Sequence, residues 1–477
     1  MSPDHAGTAA PSDATALADA VRHGAMGAEA LMQASIARAQ SDPYGSICHL
    51  DDALGLDRAR QFDRQIAEGG SQVPTMPFAG VPFLAKDLGN PAGGLPICAG
   101  SQAIRKRIGT AKKDSVLFQR FRNAGLLPFG VTTTPEFGLA LTSEPPNGPV
   151  VRNPWNSEYS AGGSSGGAAA AVASGIVALA HASDAAGSTR VPAACCGLVG
   201  LKPSRGLVPD GPDFGNHLMG LSGELVIARS VRDVRSALVA VHGHTMGPAG
   251  ELNLSGVPVR GMRIAIVDTG LSDIGPEQAH AVKSLAPLVT DLDHELVEAD
   301  ISTLDRLARA SQAVVSTILS ASLASALDSL EITDDEVSTI AAAVADVGRS
   351  LSASAVFSAY LDLARIAQGC WKLFENIDAI IMPVLAGPPP RVGAMSAQSD
   401  NASALWNQMA EIAPRASLAN VSGIPALSLP RGLDSKGLPL SAQLIGPIGA
   451  DLLLLDLAQH IEAREPWRFP ASIAGEQ

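Results

Sequence analysis

Residues 161–192, AGGSSGGAAAAVASGIVALAHASDAAGSTRVP, decide how the rest of the chain is read. A turn of small residues, Ala161 to Gly167, opens onto an Ala-rich helix predicted at Gly167 to Ser174. An apolar strand at Ile176 to His181 follows, then a second run of small residues from Ser183 to Pro192. Taken alone, the first turn suits a flexible linker. Its place in the most apolar part of the chain, with a helix directly behind it, points instead to a position where backbone approaches something closely and only Gly and Ser leave room. A phosphate cradle would need the lysine of a P-loop, which is absent after Gly167.

Outward from this stretch the texture repeats. Val81 to Ala85, Leu126 to Val131, Gly197 to Leu201 and Arg263 to Val267 are short apolar runs ended by Gly, Pro or polar residues, and Ala379 to Val384 and Ala426 to Leu429 resume the pattern later. With helices such as Ser115 to Ala124 between them, these runs predict an α/β fold. Its central mixed, largely parallel twisted sheet is expected to be covered by helices on both faces. Helical spacing predicts further helices at Ala14 to His23, Ala28 to Gln40 and Ala53 to Glu68, so residues 14–70 form an N-terminal helical region after a flexible tail at 1–13. Residues 302–375 are almost all helical by composition and read as a helical insertion. No repeat or Gly/Ser linker divides the chain, so 1–477 is expected to be a single domain.

Composition excludes several classes of function. Hydrophobic residues make up 46% and charged residues 17%, which removes the chain from the disordered class. A net charge of −13 repels polyanions and argues against nucleic acid as a partner. The five cysteines Cys48, Cys98, Cys195, Cys196 and Cys370 form neither a disulfide framework nor a zinc pattern, so no metal and no cofactor are expected, in a reducing compartment. The N-terminus carries no signal-peptide pattern and no run of 18 apolar residues exists, so the expectation is a cytoplasmic protein without a membrane partner, a monomer or homodimer.

The chemistry centres on Ser188. Ala185, Ala186 and Gly187 precede it, and N–H groups on such small residues, together with that of Ser188, can converge on one oxygen as an oxyanion hole. No G-x-S-x-G surrounds Ser188, and the nearby His181 lacks an acid in the arrangement of a hydrolase triad, so another base is required. Lys86 ends the apolar run Val81 to Ala85, and burial there would leave a neutral amine. Standing alone, Lys86 reads more readily as an ion pair at a strand end with Asp87 or another acid than as a base.

The ordered motifs settle the comparison. Gly80-Val81-Pro82-Phe83-Leu84-Ala85-Lys86-Asp87, Arg152-Asn153-Pro154-Trp155, Gly162 to Gly167, Ser183 to Pro192, Cys196 to Pro203, Ile377 to Pro383 and Gly423 to Pro430 together resemble the amidase signature family of serine hydrolases over nearly the whole length. The resemblance implies a Ser–cis-Ser–Lys triad, with Ser188 matching the nucleophile and Lys86 the lysine. Ser164, rather than Ser165, matches the bridging serine because the family's two serines lie 24 positions apart. It also implies an acyl-enzyme on Ser188, with protons relayed through Ser164 to Lys86. Gly163, Asp184 and Arg190 are read as loop support, the last two through charge-assisted hydrogen bonds.

The chain departs from the commoner family pattern at Ala186, where Gly is usual; a left-handed backbone there would strain an Ala. The run Asp184 to Ser188 is similar to that of the subgroup containing hydrolases of nylon-type oligomers and aryl acylamidases. Specificity is expected from Leu139 to Gly148, Asp210 to Gly223 and Asn401 to Asn420, with Leu139, Thr142, Phe214, Met219, Trp406 and Met409 as pocket residues. Few charges lie there, so the expected substrate is a small neutral or aryl amide, or a carbamate such as a urethane. The alternatives are a glutaminase-type subunit of a tRNA-dependent amidotransferase, which shares the triad, and a non-catalytic binding protein on the same scaffold.

Overall fold

The computed structural model describes residues 13–209, 217–243, 261–271 and 274–476. Among the described residues there are thirteen strands: β1 (Ile47–Leu50), β2 (Val81–Lys86), β3 (Leu126–Thr132), β4 (Arg152–Asn153), β5 (Asn156–Ser160), β6 (Leu179–Asp184), β7 (Val199–Lys202), β8 (Gly223–Ala228), β9 (Arg263–Ile266), β10 (Glu295–Val297), β11 (Ala379–Met382), β12 (Ala426–Leu433) and β13 (Pro439–Ile445). Eleven of them form one sheet in the order β1-β3-β2-β6-β8-β7-β12-β13-β11-β9-β10, and β4 pairs with β5 separately. β2, β3, β6, β7, β8, β11 and β13 are buried along their whole length, as strands covered on both faces must be.

The α/β class and the mixed sheet agree with the sequence, but its largely parallel character needs correction. Six of the ten pairings in the large sheet are antiparallel and four are parallel. The cause lies in strands the local pattern does not reveal. β6 and β7, joined through the helix Arg190–Cys196, run parallel to each other, yet β8 lies between them antiparallel to both. The β12–β13 hairpin likewise enters between β7 and β11, adding three antiparallel pairings. Parallel pairing is confined to β3-β2-β6 and β11-β9-β10.

Helices Ala14–Arg22, Ala28–Gln40 and Asp52–Ala67 occupy the N-terminal region. Residues 1–12 of the anticipated tail lie outside the described residues. Asp13 is no frayed end: it is buried, caps the first helix through Ala16 N, and accepts both a 2.6 Å Nε and a 2.6 Å Nη2 bond from Arg232. Between β10 and β11 stand the helices Ile301–Ser329, Thr339–Ser350 and Ala353–Leu373. Ile301–Ser329 is apolar enough on average to cross a membrane. Here it packs against the other two helices and the helix Ala416–Ser422, burying Leu304, Leu307, Val314, Val315, Ile318 and Leu323.

The first small-residue turn is a close backbone approach. A Cβ on Gly167 would fall 2.5 Å from both the N and O of Thr133, just after β3, and 2.6 Å from the carbonyl of Ser46. Because all three obstacles are backbone, Gly167→Ala should cost about 2–4 kcal/mol in urea denaturation. At Gly69 nothing lies within 4 Å of the added Cβ, so Ala there meets only the left-handed backbone (φ +73) and should cost about 1 kcal/mol. Equal losses at the two positions would contradict the packing.

Candidate active site

β2 and β6 are adjacent and parallel, which places Lys86 and Ser183-Asp184 together at their carboxyl ends, the usual place for a site in an α/β sheet. Lys86 is buried to 1% exposure. Its Nζ lies 2.8 Å from Ser164 Oγ, 2.8 Å from Ser183 Oγ and 3.2 Å from the Ser183 carbonyl. Among the described residues no carboxylate pairs with it. Asp87, the acid next in sequence, turns away and accepts from Cys98 N (2.6 Å) and Gly100 N (2.9 Å), so a Lys86–Asp87 ion pair is ruled out. Burial lowers the Lys86 amine from its ordinary value to about 7, against the opposing charges of Glu224 and Asp184. Near neutrality, uncharged amine and ammonium are both populated.

Ser164 follows a cis peptide bond from Gly163. A Cβ on Gly163 would meet the Ala140 carbonyl at 2.6 Å and Thr142 N at 2.8 Å, so segment 138–142 lies directly on this turn. The Ser164 carbonyl accepts from Thr134 Oγ1 at 2.9 Å and Ser143 Oγ at 3.3 Å, leaving its hydroxyl facing Lys86. Ser165 ties the turn to the second small-residue loop: its N–H donates to the Ser188 carbonyl at 3.1 Å and its hydroxyl to the Ser183 carbonyl at 3.2 Å. Ser188 is 6% exposed, and its hydroxyl bonds to no other described residue.

The Ser188 loop is wound around Asp184. Asp184 Oδ1 accepts from Gly187 N at 2.6 Å and Oδ2 from Thr189 N at 3.2 Å, while Arg190 Nε and Nη2 grip the same carboxylate at 2.9 and 3.0 Å. Arg190 also donates to Asn420 Oδ1 and Gln443 Oε1, both at 2.7 Å, and Asn420 Nδ2 donates to the Asp184 carbonyl at 2.7 Å. Burial alone would raise the Asp184 carboxyl; the Arg190 charge and these hydrogen bonds hold it well below the usual carboxylate range. The left-handed residue is Gly187 (φ +112), and Ala186 has no positive φ, so the methyl group there sits on ordinary backbone.

Gly187 N–H, placed in the oxyanion set by sequence, is already bound to Asp184. A donor fixed on an internal carboxylate is not aimed at a ligand, whereas the N–H groups of Ala185, Ala186 and Ser188 meet no protein acceptor among the described residues.

The anticipated pocket residues differ in burial and setting. Leu139 and Thr142 are buried and line a narrow cavity with Glu136, Ser338, Met395 and Leu405, on the helical side of the chain. Met219 is 38% exposed on left-handed backbone. Met409 is buried and Trp406 half-buried, both on the helix Ala402–Ile412. Phe214 lies outside the described residues, as do residues 210–216 of its segment.

Three residues that sequence reasoning missed belong to this centre. Ser183 shares Lys86 with Ser164, and its only signal was its place just before Asp184. Gln443 and Glu224 come from strands that had not been recognised. Glu224, on β8, lies 2.8 Å from His181 Nε2 and accepts from Asn90 N at 3.0 Å.

The amidase family profile matches residues 30–455. The chain is 31% identical over 487 residues to the 6-aminohexanoate-cyclic-dimer hydrolase of Paenarthrobacter ureafaciens, and 32% identical over 467 residues to the putative amidase AmiC of Mycobacterium tuberculosis, each match covering 95% of both chains. A solved structure of 6-aminohexanoate cyclic dimer hydrolase superposes with a TM-score of 0.85 at 31% identity, covering 96% of this chain and 98% of that one.

Asp184 and Arg190 are both fully buried. Asp184→Asn should therefore destabilise the protein by about 3–5 kcal/mol, because it leaves a buried guanidinium without its counter-charge. A loss below about 1 kcal/mol in urea denaturation would show that the pair does not brace the loop.

Proposed function

The chain belongs to the amidase signature family, and from this premise we propose that it hydrolyses the C–N bond of a small uncharged amide through an acyl-enzyme on Ser188. The observation that carries the reading is the 2.8 Å contact between Lys86 Nζ and Ser164 Oγ, made by a buried lysine without a carboxylate partner. Such an amine can take a proton at neutral pH; a lysine in a salt bridge cannot. In the proposed step Ser188 Oγ bonds to the substrate carbonyl carbon and passes its proton to Ser164 Oγ. The Ser164 proton moves in turn to the Lys86 nitrogen lone pair. As the tetrahedral centre collapses, the same relay runs backwards, the proton reaches the leaving nitrogen and the C–N bond breaks. Water then repeats the sequence in place of Ser188 and releases the acid. The N–H groups of Ala185, Ala186 and Ser188 are the donors available to the developing oxyanion.

Charge around the loop supports a neutral substrate. Arg190 is held by Asp184, Asn420 and Gln443. Arg205 donates to the carbonyls of Gly220, Asn420 and Val421. Arg415 donates to Asp305 and the Thr269 carbonyl. A glutaminase would need a cation for the amino-acid carboxylate, and these three are engaged, which disfavours the amidotransferase reading. The named relative acts on a cyclic dimer of 6-aminohexanoate, an uncharged amide, and that substrate class is proposed here together with aryl amides and, in second place, aryl urethanes.

The purified chain should hydrolyse 6-aminohexanoate cyclic dimer or an aryl anilide faster than glutamine; rapid ammonia release from glutamine alone would overturn the substrate reading. Ser188→Ala should abolish turnover, and Ser164→Ala and Lys86→Ala should each lower kcat by about 10³–10⁴-fold. Because the neutral amine is the active form and Lys86 titrates at about 7, kcat/KM should rise with pH through that region and level off above it. Lys86→Arg should not restore activity, since guanidinium stays protonated.

A further inference from the structure

One buried charge near Lys86 has no part in the relay just described. Glu224 and His181 are both completely buried, on adjacent antiparallel strands. The backbone N–H of Lys86 donates to His181 Nδ1 at 3.2 Å, so Nδ1 is an acceptor and the ring proton sits on Nε2, which donates to Glu224 Oε2. The imidazole is thereby uncharged and cannot neutralise the carboxylate. Phe118 and Phe121 fix the ring, with centroids 5.0 and 6.2 Å away. Glu224 Oε2 takes a second hydrogen bond from Asn90 N, while Oε1 is buried without a partner. Gly89 leaves room for this carboxylate: a Cβ there would stand 2.6 Å from Oε1.

The charged groups facing Lys86 can be enumerated. From β6 comes Asp184, whose charge is balanced by Arg190. From its own strand end comes Asp87, turned onto Cys98 and Gly100. From β8 comes Glu224, which has only uncharged hydrogen-bond partners. Its charge is the largest of those that oppose the effect of burial on Lys86.

We propose that Glu224 is a positioning residue for proton transfer: its unneutralised charge, held in place by His181, stabilises the ammonium that Lys86 becomes when Ser188 is deprotonated through Ser164. The proposal rests on the reading of Lys86 as the base. When the proton moves from Ser188 to Ser164 and from Ser164 to Lys86, negative charge develops on the substrate oxygen and positive charge on Nζ. A carboxylate across the strand favours the second of these without touching substrate.

Glu224→Gln isolates the charge. Its amide oxygen can take the place of Oε2 and keep both accepted hydrogen bonds, while its amide nitrogen takes the unpartnered position of Oε1. Profiles of kcat/KM against pH, on whichever amide the wild type turns over, should show the acid limb of Glu224→Gln moved at least about one pH unit toward acid, with a plateau about tenfold lower because the base is weaker. Glu224→Asp, which keeps the charge, should hold the wild-type limb even if its rate falls. A Glu224→Gln profile lowered by the same factor at every pH would overturn the proposal. If Glu224→Gln fails to fold, the Glu224→Asp profile decides, and a limb displaced despite the retained charge overturns the proposal. Lys86→Ala separates the two readings: if it keeps activity with the wild-type acid limb, Lys86 is not the base and the underlying reading fails, whereas an unmoved Glu224→Gln limb with an inactive Lys86→Ala fails only the role of Glu224.

Discussion

The arrangement depends on one lysine being denied a counter-ion at contact distance. An ammonium taken from water into the sheet would be strongly disfavoured, and the usual remedy is a carboxylate beside it. Here the nearest groups are two hydroxyls and a carbonyl, contributed by Ser164 and Ser183. These partners satisfy either protonation state, since a hydroxyl can accept from an ammonium or donate to an amine. The acids of the neighbourhood are kept off contact by other engagements: Asp87 by two loop N–H groups, Asp184 by Arg190, Glu224 by His181 and Asn90. Most of the polar structure around the site can be understood as the means of holding those three carboxylates away from Nζ.

The Asp184–Arg190 pair does a second job through its length of reach. Arg190 and Asn420 join the Ser188 loop to the helix Ala416–Ser422, and Gln443 joins it to β13, more than 220 residues away in sequence. Each of those polar side chains is buried, and Asn420 Nδ2 also donates to the carbonyls of Asp184 and Leu221. A loop of Ala, Gly and Ser has little side-chain packing of its own to fix it. Its shape is therefore set by a carboxylate at its centre, which collects the N–H groups of Gly187 and Thr189 and leaves those of Ala185, Ala186 and Ser188 turned elsewhere.

Local pattern carried much of the fold and less of the site. β2 and β3 coincide with their apolar runs almost residue for residue, as do helices Ala28–Gln40 and Val116–Asn123. β6 begins at Leu179, not Ile176, and runs on to Asp184, because Ser183 and Asp184 are polar residues whose partners lie on other segments. β8 and β13 escaped for the same reason: Glu224, Ser441 and Gln443 interrupt their apolar sequences, yet all three are buried. The missing strands then account for the misjudged proportion of parallel pairing. Lys86, Ser164, Asp184, Ser188 and Arg190 could be read because they stand in ordered motifs. Glu224 and Gln443 could not, since their meaning comes from strand order, nor could Asn420, whose meaning comes from the packing of the helix Ala416–Ser422 on the loop.

Lys202 shows why burial by itself does not identify a base. It too is completely buried on a strand of the same sheet, and burial together with the Arg190 charge also brings it to about 7. Its ammonium donates to the carbonyl of Pro203, the next residue, and to no serine. A backbone carbonyl has no proton to pass on, so a neutral amine there would lie at the end of no path. Lys86 differs in touching a hydroxyl on the turn that Ser165 ties to the nucleophile loop. Two lysines with similar proton affinity thus have different consequences, and the difference lies in whether the atom facing the nitrogen can itself give and receive a proton.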